Sequence, residues 1–227
     1  MKYWLISLKA RKLKIVLDNP TELCNNVYSK RTEEVVMQIS EFVNQEYVGR
    51  FVEHDKEYGG TLHVRHKKKL KLITDHPLAK EELSICYMMV VNGEVKKIGQ
   101  TSGKDGILGC MSFYGGAGQD DPSPTRYAIN LLIRKEMEKG NDVEIYFQYE
   151  KPKEMTFNGA TGPVTTIVPI SAKVIEGNCV DYHKEMAGKY PEWNFQEDSE
   201  KTSHPVWIKE DFANYVNKRK GKNENTN

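Results

Sequence analysis

Residues Ile85 to Val91 (ICYMMVV) form an unbroken apolar run, Asn92-Gly93 follows at once, and Val95 to Gln100 makes a second strand-like run. Asn-Gly between two such runs is a strong hairpin signal, because the favoured two-residue turn needs positive φ at both central positions. The stretch predicts two antiparallel strands and commits the middle of the chain to a sheet. The parity of the connection matters as well. A two-residue turn with regular pairing sets Tyr87 opposite Ile98 and Met88 opposite Lys97, so that Tyr87 and Lys97 point to opposite faces. A three-residue loop, Asn92 to Glu94, or one bulge returns them to the same face, and one of these irregularities is expected.

Other elements fall around that hairpin. Ser123 caps a helix with Pro124 at its first position and Gly140 past its end, its buried stripe being Ile129, Leu132, Ile133 and Met137. Asp142 to Tyr149 alternates, with Val143, Ile145, Phe147 and Tyr149 on one face, and reads as a third strand. Residues 151–170 read as a hairpin-like excursion, after which Ser171 caps a helix running to Tyr190, where Pro191 stops it. Gly103 to Gly118, with Phe113 and Tyr114, reads as a glycine-rich loop. Upstream, strands are expected at Tyr3 to Leu8 and Leu13 to Leu17, and a helix at Thr32 to Glu46 with Val35, Val36, Ile39 and Val43 at helical spacing. Past Gln196 the chain turns polar, with one amphipathic piece from Trp207 to Val216 and a tail, KRKGKNENTN, expected to be disordered.

The fold class expected is therefore α+β: a small three-stranded antiparallel sheet flanked by helices, with an N-terminal α+β extension. Three parts are expected: a basic domain over 1–82, a central domain over 83–196, and a C-terminal helix and tail over 197–227.

Lys and Arg number 33 against 32 Asp and Glu, a net charge of +1 that names no polyanion partner. By segment the balance differs: residues 1–80 carry 15 basic and 10 acidic side chains (+5), residues 81–150 carry 7 and 11 (−4), and residues 151–227 carry 11 of each. The basic front end includes HVRHKKKLK, His63 to Lys71, which reads equally as a solvated strand or as a contact to a phosphate backbone. Cys24, Cys86, Cys110 and Cys179 are scattered without a CxxC pair, which points to a reducing cytoplasm. The first residues lack the apolar core of a signal peptide, and no run approaches the ~18 apolar residues of a membrane span.

The order hairpin, helix, strand, excursion, helix, together with its local residues, resembles the GIY-YIG nuclease superfamily. Ile85-Cys86-Tyr87 stands for the first motif and Lys97-Ile98-Gly99, extended as KIGQTS, for the second; PSPTR opens a helix, VEIYFQY is a strand, and PEWN closes the region. Lys97 replaces the second motif tyrosine, as in a restriction-enzyme branch of the superfamily. The likeness covers residues 83–196. It implies hydrolysis of a DNA phosphodiester with a divalent metal, using a tyrosine, an arginine and a metal-binding glutamate.

That chemistry needs an activated water, a positive partner for charge growing on the phosphate, and a cation on a phosphate oxygen. Tyr87 is the candidate for orienting the water; an unperturbed phenol, with pKa about 10, needs help to ionise, and Lys97 beside it supplies a lowering charge or binds the water or phosphate itself. The bland alternatives are a core tyrosine and a solvated lysine. Arg126 falls in the first turn of the helix capped by Ser123, where a cation opposes the helix dipole unless an anion is bound there. Asn130 and Arg134 continue its polar face, Arg134 reading as a surface ion pair. Of the two glutamates on the last helix, Glu176 lies beside the apolar stripe and Glu185 on the solvent side, so Glu176 is the metal candidate, for Mg²⁺ or Mn²⁺. Asn194 in PEWN matches the asparagine that family members place near the site; its bland reading is a helix-ending turn.

The expected activity is a metal-dependent endonuclease of double-stranded DNA, most specifically a type II restriction-like enzyme acting as a homodimer. Lys67, Lys68, Lys69 and Asn194 are the expected DNA contacts. The rivals are a repair or mobile-element nuclease and a non-catalytic DNA-binding protein. No nucleotide cofactor is expected: GQTSGK is one residue short of a phosphate loop, and Asp105 stands where Ser or Thr is required.

Overall fold

The computed structural model describes residues 36–57, 68–116, 123–195 and 204–223, without side chains at 55–57, 68 and 218–223. The chain divides into two compact units, Met1–Glu34 and Val35–Asn227, and every described residue belongs to the second. The strands expected at Tyr3 to Leu8 and Leu13 to Leu17 lie outside the described residues.

The fold is α+β. Five antiparallel strands form one sheet in the order β2-β1-β5-β3-β4: β1 (Glu46–Glu57), β2 (Lys68–Ile73), β3 (Ile85–Val91), β4 (Glu94–Thr101) and β5 (Val143–Tyr149). The sheet is thus larger than the three strands expected, because β1 and β2 extend it beyond β5. Strand pairing crosses residue 82, with β1 joined to β5 through Tyr47 and Tyr146. The separate hairpin β6 (Lys153–Gly159) and β7 (Gly162–Val168) matches the expected excursion.

Each residue of β3 is buried, and the reason is its place between β5 and β4 with apolar layers on both faces. On one face, Tyr87, Met89, Ile145, Phe147, Phe51 and Leu70 pack with side chains from α1 (Gly106–Gly115) and α2 (Pro124–Glu138). On the other, Cys86, Met88, Val90 and Ile98 meet Ile175, Cys179 and Val180 of α3 (Ala172–Ala187). Helix α2 starts as its sequence dictates, with Ser123 Oγ accepting from the Arg126 amide at 3.3 Å. Helix α3 ends at Ala187, three residues before Tyr190, because Gly188 takes the left-handed cap at φ 72°.

Three sequence expectations fail here. Within Thr32 to Glu46 the described part is a bend with one 3-10 turn, Ile39–Glu41; the Ile39 amide donates to the Gly93 carbonyl at 2.8 Å and Val95 to Met37 at 2.9 Å. Pairing with the end of β4 outweighs the helical spacing, burying Met37 and Phe42 while Val43 stays 73% exposed. The glycine-rich loop contains α1, and its glycines serve close approach: a Cβ on Gly115 would strike the Leu70 carbonyl, and Gly106, at φ 57°, sits under the Ala79 and Glu81 carbonyls. Finally, α4 (Val206–Asn223) runs through the first part of the tail expected to be disordered. Among the described residues no helix is long and apolar enough to cross a membrane.

Candidate active site

The hairpin turn is the two-residue Asn92-Gly93, with φ of 51° and 81°. Register runs Val91 to Glu94 and Val90 to Val95, then jumps, pairing Met89 with Lys97 and Tyr87 with Gly99. Lys96 is the extra residue. This is the expected irregularity, and it brings Lys97 and Tyr87 to one face of the sheet. The Lys96 ammonium is held at 2.8 Å by both Glu94 and Glu192. Burial alone lowers its pKa, but the bonds to Glu192 and Glu94 prevail and raise it.

The Tyr87 ring occupies the room that a side chain at 99 would need: a Cβ on Gly99 would stand 2.5 Å from Tyr87 Cζ. The glycine of KIG is thereby explained by its cross-strand neighbour. Tyr87 is 2% exposed, and its hydroxyl lies 2.7 Å from that of Tyr114 on α1. Burial, then Tyr114 and Cys110, push the Tyr87 phenol well above its ordinary value. The net shift is upward, against the lowering expected, because desolvation by burial is its largest cause.

The residues singled out in the sequence stand on four elements: Tyr87 on β3, Lys97 on β4, Arg126 on α2 and Glu176 on α3. Lys97 is 8% exposed. Arg126 opens α2, exposed, with its guanidinium 4.4 Å from the Phe113 ring centroid. Burial pushes the Cys110 thiol up to about 11, against the lowering effect of hydrogen bonds from Tyr87 and Thr101 and the charges of Lys97 and Arg126. Burial likewise raises Tyr114 to about 12, while the bond with Tyr87 and the Arg126 charge lower it and the charges of Cys110 and Glu176 raise it. The fields of Arg126 and Glu176 therefore both reach Tyr114. Glu176 is half-buried on α3 and Glu185 exposed.

Among the described residues no group of three or more His, Cys, Asp or Glu is arranged to hold a metal. Glu176, a single half-buried carboxylate, fits a hard cation that keeps most of its waters, as magnesium does, and does not fit a closed zinc site.

Two expectations about neighbouring residues are corrected. Asn194 is 2% exposed, and both ends of its amide are committed to β4: Oδ1 accepts from the Ile98 amide and Nδ2 donates to the Ile98 carbonyl, each at 2.9 Å. Both bonds tie it to the edge strand of the sheet, where it satisfies the backbone of Ile98. Arg134 is no surface ion pair; at 4% exposed it donates from Nε to Asn130 Oδ1 at 3.0 Å and from Nη1 to Glu53 at 3.2 Å. Asn130 in turn donates to the Tyr114 carbonyl at 2.5 Å, so a buried polar chain tethers α1 to α2. Of the expected DNA lysines, Lys67 lies outside the described residues, Lys68 sits in β2 and Lys69 pairs with His54. Tyr114 was missed as a site residue; the spacing of Ile107, Met111 and Gly115, one apolar face of a helix, was the available signal.

No family model and no curated protein matches this sequence. Among solved structures, a mutant of bacteriophage T4 EndoII is similar at 20% identity over 48% of this chain and 70% of that one, with a TM-score of 0.32. Restriction endonuclease HPY188I in complex with product DNA is similar at 14% identity over 70% of this chain and 86% of that one, with a TM-score of 0.37.

Proposed function

We propose that this chain is an endonuclease that hydrolyses double-stranded DNA with a divalent cation, of the GIY-YIG type and with restriction-like site specificity. One observation supports the reading: the β3–β4 bulge puts Tyr87 and Lys97 on one face of the sheet, and the charges of Arg126 and Glu176 both act on Tyr114, whose hydroxyl lies 2.7 Å from that of Tyr87. Arg126 and the first amides of α2 suit an anionic phosphate, the guanidinium binding it in the field of a helix N-terminus. Lys97 adds a second positive charge from the sheet. Glu176 is the residue to hold Mg²⁺ or Mn²⁺; a cation there supplies charge neutralisation on a phosphate oxygen. The tyrosine pair supplies hydrogen bonds from hydroxyls that burial keeps neutral. One site per chain suits a homodimer for cutting both strands, with the basic run at Lys67 to Lys69 gripping the backbone.

The test is purified protein on supercoiled plasmid, with Mg²⁺ or EDTA, followed by sequencing of the ends. Fixed ends formed only with Mg²⁺ support a site-specific nuclease, and scattered ends select a repair or mobile-element nuclease of the same chemistry. Tight DNA binding without cleavage on a broad DNA panel overturns the enzymatic reading and leaves a non-catalytic binding protein.

A further inference from the structure

Helix α4 lies along α2, and the contacts between them fix its direction. The Lys135 ammonium stands 4.5 Å from the Trp207 ring centroid. Eight residues earlier on α2, the Tyr127 ring lies 5.1 Å from that of Tyr215 and 5.3 Å from that of Phe212, and its hydroxyl donates to Asp211 at 2.8 Å. Trp207 and Tyr215 are likewise eight residues apart. The two helices are therefore antiparallel over about 12 Å, and α4 runs toward the start of α2. Ile208 and Tyr215, both buried, hold it there. Pro124 opens α2 three residues before Tyr127, whereas α4 continues eight residues past Tyr215 to Asn223. Counted along the axis, Lys218 stands level with Pro124, and the rest of α4 extends about 7 Å beyond the end of α2 that carries Arg126.

The charge of α4 changes at the same level. Residues 206–215 carry one basic and two acidic side chains, whereas residues 216–223 carry Lys218, Arg219, Lys220 and Lys222 with no acidic one. Packing does not call for this sequence, since Phe212, Tyr215 and Val216 are the apolar residues joined to α2 and NKRKGKN, after Val216, offers no apolar side chain to bury. Lys218 and Lys222, four apart, weaken the helix as like charges on one face, and Gly221 weakens it further. The dipole of α4 favours cations at its own end, but these stand beside the positive pole of α2 and the exposed Arg126. Positive charge gathered on positive charge is stabilised by a bound polyanion. We infer that the C-terminal end of α4, Lys218 to Lys222, is a backbone-binding arm that takes the phosphates of duplex DNA next to the one bound at Arg126. This rests on the nuclease reading above and adds a surface outside residues 83–196, where the family likeness lies. Lys218 to Lys222 rises about 6 Å, and phosphates follow at about 3.4 Å along one strand, so the arm covers about two of them. Such contacts position the duplex and read no bases.

The experiment follows binding of the full chain to fluorescent duplexes of several sequences, in Ca²⁺, between about 50 and 200 mM salt. Lys218→Gln, Arg219→Gln, Lys220→Gln and Lys222→Gln together are expected to reduce the slope of log affinity against log salt by about two, and to weaken binding about tenfold or more on every duplex alike. The urea midpoint stays that of wild type. Lys218→Arg, Lys220→Arg and Lys222→Arg together keep the wild-type slope, because charge and not shape is what acts. Should the glutamine variant melt early, a chain ended after Asn217 shows the same loss of slope. A wild-type slope in the glutamine variant and the shortened chain, whatever the urea midpoint, overturns this inference and leaves the nuclease reading standing; the cations then serve only the dipole of their own helix. A loss confined to one duplex sequence also overturns it, in favour of base reading. Loss of slope with no Mg²⁺-dependent cleavage by wild type overturns the nuclease reading and keeps the arm as part of a DNA-binding protein. No binding of any duplex by wild type overturns both.

Discussion

Tyr87 and Gly99 face one another across the β3–β4 pair, and the tyrosine ring fills the volume that any side chain at 99 would occupy. Gly99→Ala is expected to destabilise the fold by about 1–3 kcal/mol through overpacking, and to reduce cleavage by displacing the Tyr87 hydroxyl from Tyr114. Urea melts read the first effect and plasmid cleavage the second. A wild-type melt together with wild-type activity contradicts this account of the motif glycine.

Charge removal at the site separates two carboxylates on one helix. Glu176→Gln and Arg126→Ala are each expected to lower cleavage by about a hundredfold or more, with circular dichroism unchanged. Glu185→Gln, exposed on α3, is expected to cut as wild type does. EDTA abolishes cutting and Mg²⁺ or Mn²⁺ restores it. Full activity in Glu176→Gln with loss in Glu185→Gln would move the cation site to the other face of the helix.

Asn194→Ala is a stability variant on this structure. Its amide satisfies both polar groups of Ile98 on the edge strand, and losing it leaves a buried donor and a buried acceptor, at about 1–3 kcal/mol each. The expected result is a lowered urea midpoint with DNA affinity unchanged at a temperature where the variant is folded. A selective loss of affinity instead restores Asn194 to the DNA interface.

His183 gives the fold a pH dependence. It is 3% exposed, Nδ1 donates to the Lys189 carbonyl at 2.9 Å, and burial lowers its pKa from 6.5, outweighing the bonds to Lys189 and Val95. The unfolded chain then takes up a proton near pH 6.5 that the native chain refuses. Stability from this group is complete above that pH and declines as pH falls toward the lowered native value. Urea melts across this range show the slope, and His183→Asn, which keeps a donor for Lys189, is expected to flatten it.

The hairpin, α2 with its Ser123 cap, and β5 were legible because turn chemistry, capping and alternation act within a few residues. The strands β1 and β2 were not, since β1 is placed by β5, far along the chain, and β2 by β1, and Glu46–Glu57 carries six charged side chains that mute its alternation. Helix α1 was hidden by glycines whose purpose is contact with Leu70, Ala79 and Glu81, none of which is a neighbour in sequence. The four site candidates were readable as residue types at motif spacing. That Tyr87 is buried against Tyr114 was not, because depth from the surface is a property of packing.

The extra residue at Lys96 makes the chemistry of this hairpin depend on counting as well as on identity. Removing one residue between Tyr87 and Lys97 would keep every motif letter yet turn the lysine to the side occupied by α3, whereas removing two would keep it beside the tyrosine. Length changes in this hairpin are therefore admissible in pairs, and a hairpin exchanged from another protein preserves the site only if its count is odd or even in the same sense.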